Sequence, residues 1–389
     1  MIFGARKVLR MVILLAALVL FLAGCAGASE GPSDSGRDRT SPNVHEAGGN
    51  DEASALSRMS VRDMVGQMFV ISVGGTEPDY YIEKMVRERN IGGVILFGYN
   101  MKSEGQVKSL TTSLQDLSMR TEPRVPLIVA VDQEGGDIAS AVWVEPEPTA
   151  AEVGRRGDPD EAHAIAERMG RQLLRAGINT DFAPVVDTGF GAAIGERSYG
   201  EDPELVARMG AAAVEGFEEA GVISAAKHFP NHGPATSDSH VSLPVVRHDE
   251  ETVETYDLPP FRAAVEAGVP MVMVGHLVYP AVDPDRPASL SKEAISMLRE
   301  DLGFEGVVVT DDLAMAGATG GGPPARAAVE AVRAGADLLI ISSPPQQQAD
   351  AYDAVVAAVE SGDLSRTQIR ESVGRILEVK ETYHLHGAG

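Results

Sequence analysis

From about residue 56 onward, short apolar runs alternate with amphipathic stretches. The runs over 68–72, 93–97, 127–132, 179–187, 222–227, 271–275, 307–311 and 338–342 are nearly continuous in apolar side chains and are bounded by turn residues. Runs of this kind suit strands buried on both faces, as in a parallel sheet covered by helices. Between and after them the spacing predicts helices over 80–89, 159–176, 203–220, 258–267, 292–302, 325–334 and 347–360, with a terminal helix over 366–383. The strands are too far apart for hairpins, which makes the class α/β. Eight of them suggest a single (β/α)8 TIM-type barrel, a closed parallel sheet with outer helices. An open doubly wound sheet is the structural alternative.

The segment before residue 56 does not belong to this pattern. Arg6, Lys7 and Arg10 precede an apolar stretch over 11–22, and Leu22-Ala23-Gly24-Cys25 follows. This resembles a bacterial lipoprotein signal, with residues 1–24 removed and Cys25 left to carry lipid. Cys25 is the only cysteine, so no intrachain disulfide can form. Residues 25–55 carry Gly, Ser, Pro, Asp and Glu with few large apolar side chains, the composition of a flexible linker. The expectation is a monomeric domain over 56–389, held outside the cytoplasmic membrane through lipid on Cys25.

Charge narrows the partners. The formal net charge of -24 opposes binding to nucleic acid or to an anionic membrane surface, since phosphates would be repelled.

Active sites of (β/α)8 barrels gather at the C-terminal ends of the strands. Asp132, Asp187, Lys227 with His228, His276 and Asp311 all fall at such ends. The densest stretch, 227–244, places one Lys, three His and one Asp in a segment too rich in Pro, Gly and Ser for a helix. A carboxylate on a strand end and a histidine with a carboxylate partner suit attack at an acetal carbon with protonation of the leaving oxygen. Asp311 fits the first role, although strand alternation leaves open whether it or Asp312 faces inward. Asp238 and His240, one residue apart, fit the second: the carboxylate can accept the Nδ1 proton and leave Nε2 to donate.

These residues carry a resemblance. Lys227-His228-Phe229-Pro230, His232-Gly233, Asp238-Ser239-His240 and Thr310-Asp311-Asp312-Leu313-Ala314-Met315 are similar to motifs of glycoside hydrolase family 3, in particular its NagZ-type β-N-acetylglucosaminidases. Val131-Asp132-Gln133-Glu134-Gly135-Gly136, the run 181–187 and Gly195-Glu196-Arg197-Ser198-Tyr199-Gly200 extend it over residues 56 to 385. The resemblance implies Asp311 as the nucleophile of a covalent glycosyl-enzyme intermediate, with His240 as general acid/base and Asp238 as its partner. It implies that Asp132, Arg197, Lys227 and His228 hold sugar hydroxyls, with Asp187 and His276 near the pocket. Terminal β-linked N-acetylglucosamine of peptidoglycan fragments is the implied carbohydrate substrate, with no metal or organic cofactor.

Two departures bear on the substrate. Asp137-Ile138-Ala139-Ser140 stands where the family usually has Arg-Val-x-Arg, with Arg155 or Arg156 available to compensate. Asn231 stands where Gly is usual, and either stiffens the loop or adopts a left-handed conformation. A phosphorylase using the same residues and a sugar-binding lipoprotein with little turnover are the alternative readings.

Overall fold

The computed structural model describes residues 55–385; the signal peptide, Cys25 and nearly all of the linker lie outside them. All eight strands occur: β1 (Phe69–Ser72), β2 (Gly93–Ile95), β3 (Ile128–Val131), β4 (Thr180–Asp181), β5 (Ile223–Phe229), β6 (Met271–Val274), β7 (Val307–Thr310) and β8 (Leu339–Ile341). They run parallel in the order β8-β1-β2-β3-β4-β5-β6-β7. A single bridge, Val309 to Leu338, joins β7 to β8 and closes the ring, with Thr310 N–H donating to the Leu338 carbonyl at 2.9 Å. The barrel reading therefore holds over the open sheet.

Strand side chains on both faces are buried, including Val70, Val94, Val129, Ile223, Val272, Val308 and Ile340. That is why these segments read as unbroken apolar runs rather than alternating ones. β4 is much shorter than the predicted 179–187, because Pro184 has no N–H to give. Pairing with β5 continues past it irregularly, through Lys227 N–H to the Pro184 carbonyl and Val186 N–H to the Lys227 carbonyl.

The predicted outer helices occur with small shifts at their ends. Helices α1 (Val61–Gln67) and α2 (Tyr80–Arg89) are followed by α3 (Glu104–Met119), α4 (Ala150–Arg156), α5 (Pro159–Arg175) and α6 (Pro203–Ala220). After these come α7 (Pro259–Glu266), α8 (Lys292–Ser296), α9 (Ala325–Ala334), α10 (Pro345–Ser361) and α11 (Arg366–Thr382). The 292–302 stretch is α8 followed by the wider-wound turn Met297–Asp301. Both α5 and α6 start at an Asp-Pro pair: the Asp carboxylate accepts a first-turn N–H, and Pro occupies a position that needs no donor.

Helices α1, α4 and the longer α3 were not among the predicted elements, and α3 shows why. Its buried face includes Thr111, Gln115 and Ser118, which break up the apolar stripe. Each has a specific partner: Gln115 pairs with both backbone groups of Leu127, Ser118 donates to the Val125 carbonyl, and Thr111 to that of Ala176. At the opposite end of the barrel from the site, Lys380 of α11 is buried and donates to Gln67 and to the Gly92 carbonyl. Burial lowers its ammonium pKa to about 7.

Candidate active site

A cavity of about 450 Å³ opens at the C-terminal end of the barrel. Its walls include Asp132, Arg197, Lys227, His228, His240 and Asp311, together with Glu134, His232 and Ser239. Asp187, Asp238 and His276 do not line it. Each instead holds a group on or next to a residue that does: Asp187 the ring of His228, Asp238 the ring of His240, and His276 the backbone beside Asp311.

The cationic wall is built on β5. Lys227 is 2 % exposed, and its ammonium lies 2.7 Å from Asp132 Oδ1 and 2.6 Å from Glu134 Oε1. Glu134 in turn receives Arg197 in a two-pronged pair, Nε and one Nη each at 2.7 Å. Burial works against the Glu134 charge, but Lys227 and Arg197 outweigh it and hold the carboxyl at about 2. Burial likewise opposes the Lys227 ammonium, and the two carboxylates raise its pKa regardless. Glu134 is thus the link between the two cations of the wall, a role that the sequence reading did not give it. The signal for it was its place in Asp132-Gln133-Glu134-Gly135, directly after a strand end.

Beneath this wall, Asp181 ends β4 and is fully buried. Its Oδ1 accepts the Gln133 N–H and its Oδ2 has no partner. Burial pushes its pKa well up, against the Gln133 N–H and the nearby Lys227.

The chain crosses from β5 into the loop just after a cis Lys227–His228 peptide inside the strand. Asp187, with no exposed surface, orders this crossing: Oδ2 accepts the His228 ring Nδ1–H at 2.7 Å and Oδ1 accepts the His232 N–H at 2.5 Å. Burial would raise the Asp187 carboxyl, but the charge and hydrogen bonds of His228 and contacts with His232 lower it.

Asn231 takes the stiffening option. It is buried, its φ is not positive, and its amide makes four hydrogen bonds, to Thr188 N and O, Gly233 N and Asp257 Oδ1. A glycine could make none of these.

Further along the loop, His240 Nδ1 lies 2.8 Å from Asp238 Oδ1, which also accepts the His240 N–H. Burial acts to raise the Asp238 carboxyl, and these two bonds lower it. The His240 side chain lines the cavity and is 69 % exposed, and its Nε2 makes no hydrogen bond among the described residues.

Both adjacent aspartates after β7 line the cavity, and Asp311 is the one whose carboxylate is not engaged by the end of β8. Burial would raise its pKa, yet the nearby His276 and His228, the Asp312 N–H and Lys227 bring it to about 2. Asp312 is occupied elsewhere: Oδ1 accepts the Ala314 and Ser342 N–H groups, and Oδ2 accepts the Ser342 hydroxyl. It therefore ties the end of β7 to the end of β8.

Residues 60–379 match the Glycosyl hydrolase family 3 N terminal domain. The chain belongs to glycoside hydrolase family 3. It is 36% identical over 327 residues to a β-hexosaminidase A of Pseudoalteromonas piscicida, 77% of this chain but 54% of that protein. With a β-hexosaminidase of Stenotrophomonas maltophilia the identity is 34% over 318 residues, covering 79% and 91%. Among solved structures, a family 3 β-N-acetylglucosaminidase from a Paenibacillus species superposes with a TM-score of 0.83 at 40% identity, covering 85% of this chain and 64% of that one. The chain thus spans about half to two thirds of some relatives and nearly all of others.

The family's usual Arg pair is replaced by groups that reach little. Gly135 and Gly136, both at positive φ, lead into the turn at Gly136-Asp137 of a hairpin between Gln133–Gly135 and Ile138–Ala139. Asp137 sits exposed at the tip, and Ile138 and Ser140 line the cavity wall. Neither Arg155 nor Arg156 lines that wall, and Arg156 pairs with Glu161 at 2.6 Å. The compensation considered for them is not seen.

Proposed function

We propose that this chain is a retaining exo-glycosidase that releases terminal β-linked N-acetylglucosamine from cell-wall glycan fragments. The observation that carries the reading is that Asp311, with its carboxyl held low, and His240, with its Nε2 unengaged, line one cavity. The names of the β-hexosaminidase relatives and of the Paenibacillus structure support the sugar.

In this mechanism the Asp311 carboxylate attacks the anomeric carbon, while His240 Nε2–H protonates the departing oxygen. Asp238 holds the Nδ1 proton, which keeps the donor proton on Nε2 and stabilises the imidazolium. In the second step the now neutral Nε2 takes a proton from water, which displaces Asp311 and regenerates both groups. Asp132, Lys227, Arg197 and His228 orient the sugar hydroxyls.

Rates on an aryl β-N-acetylglucosaminide and the matching β-glucoside test the substrate. Turnover of the glucoside alone would overturn it. Phosphorolysis is the rival chemistry. Against it, Lys227 and Arg197, which line the cavity, are already paired with carboxylates. Sugar 1-phosphate formed in phosphate buffer would reverse this preference.

His240→Ala is expected to cost about 10²- to 10³-fold on substrates with poor leaving groups and far less on activated aryl glycosides. Equal loss on both would assign His240 a structural role. The same proposal anchors the domain through lipid on Cys25. Cys25→Ser is expected to abolish lipid labelling, and unchanged labelling would sink that part.

A further inference from the structure

Resting on the acid/base reading above, we infer that Ser239 is the fixed point that sets the reach of His240, clamped from one side by His232 and from the other by Gly317. The three consecutive residues Asp238-Ser239-His240 differ sharply in exposure: the outer side chains are 41 % and 69 % exposed, and Ser239 is 2 % exposed. The proton-handling pair stands in solvent on either side of a buried residue.

Two contacts hold that residue. Its hydroxyl lies 3.0 Å from His232 Nε2. His232 is 2 % exposed and its Nδ1 is buried without a partner. A buried N–H without an acceptor costs more than an unused lone pair, so the proton sits on Nε2 and is donated to Ser239 Oγ. His232 is itself fixed by its N–H to Asp187 and by edge contact with the His228 ring at 5.8 Å. Burial, with His228 beside it, lowers its pKa, consistent with a neutral donor.

The second contact is backbone. Gly317 N–H donates to the Ser239 carbonyl at 2.9 Å. Gly317 follows the Asp311 segment by six residues and packs so closely that a Cβ there would meet His276 Cβ at 2.9 Å and the Ser239 oxygen at 3.0 Å. His276 also donates Nε2–H to the Asp312 carbonyl, 2.9 Å away. The segment carrying the nucleophile and the loop carrying the acid/base are thus held in register through one buried serine. Neither His232, Ser239 nor Gly317 needs to touch the sugar for this; they are positioning residues.

The test is the dependence of kcat/KM on leaving-group acidity across a series of aryl β-N-acetylglucosaminides, with thermal melts as a folding check. Ser239→Ala and Gly317→Ala are expected to lose roughly tenfold or more on the poorest leaving groups and less than about threefold on the best, a partial form of the acid/base defect. His232→Leu is expected to match them. His232→Gln, which keeps a donor near Nε2, is expected to recover most of the loss.

Uniform loss across the series, no loss, or a Gln variant as poor as the Leu variant would overturn the clamp. Ser239→Ala removes one oxygen and keeps the test decisive if Gly317→Ala fails to fold. If His240→Ala itself leaves the dependence unchanged, the acid/base reading fails. If His240→Ala steepens the dependence and Ser239→Ala does not, only the clamp fails.

Discussion

Asp311→Asn is expected to lower kcat by at least about 10⁴-fold, the scale seen when one member of a covalent catalytic unit is removed. The substitution keeps the shape of the side chain, and its carbonyl oxygen can still accept the Asp312 N–H, as Oδ1 does at 2.7 Å. The fold should therefore survive, and a thermal melt beside the rate measurement separates lost chemistry from lost structure. The acid lies in the environment that the role demands. His276, His228 and Lys227 overcome the cost of burial and keep the carboxyl at about 2, so it is an available anion throughout the neutral range. A loss of less than tenfold would remove Asp311 from the nucleophile's role.

Glu134→Gln should cause the largest change in stability. One buried carboxylate serves Lys227 at 2.6 Å and Arg197 at 2.7 Å, and removing its charge leaves Arg197 without its two-pronged partner and Lys227 with Asp132 alone. Breaking a buried pair in this way costs about 3–5 kcal/mol. Because the proposed function has the same cations orient the sugar, kcat/KM should fall by about 10²-fold, the cost of a misplacement near 1 Å.

The pH dependence carries a matching signature. The folded-state pKa of Glu134, about 2, lies below its ordinary value of 4.5. Its contribution to stability is therefore fully present above pH 4.5 and is lost as pH falls from there toward 2. Urea midpoints measured across that window should show a shallower decline for the variant. An unchanged melting temperature would contradict the linking role.

How much of this was legible in the sequence varies by residue type. The barrel strands were, because strands buried on both faces must be apolar at every position. Asp311, the dyad and the β5 pair were, because each sits at a strand end or in a loop crowded with titratable groups. Glu134 was not, since its importance lies in partners 63 and 93 residues away, Arg197 and Lys227, that only the closed ring brings together. Helix α3 was not, because Gln115 and Ser118 fill core positions by pairing with backbone that no local pattern reveals. Asn231 illustrates a middle case. Its departure from glycine was visible, but only its four buried hydrogen bonds show which of two effects follows.

The ring closes between β7 and β8 through one bridge, and the carboxylate of Asp312 spans that junction to Ser342. That junction therefore lies directly beside the residue proposed as the nucleophile. In a saturation mutagenesis experiment, Asp312 would score among the least tolerant positions and pass for a second catalytic acid, although its work is closer to that of a rivet.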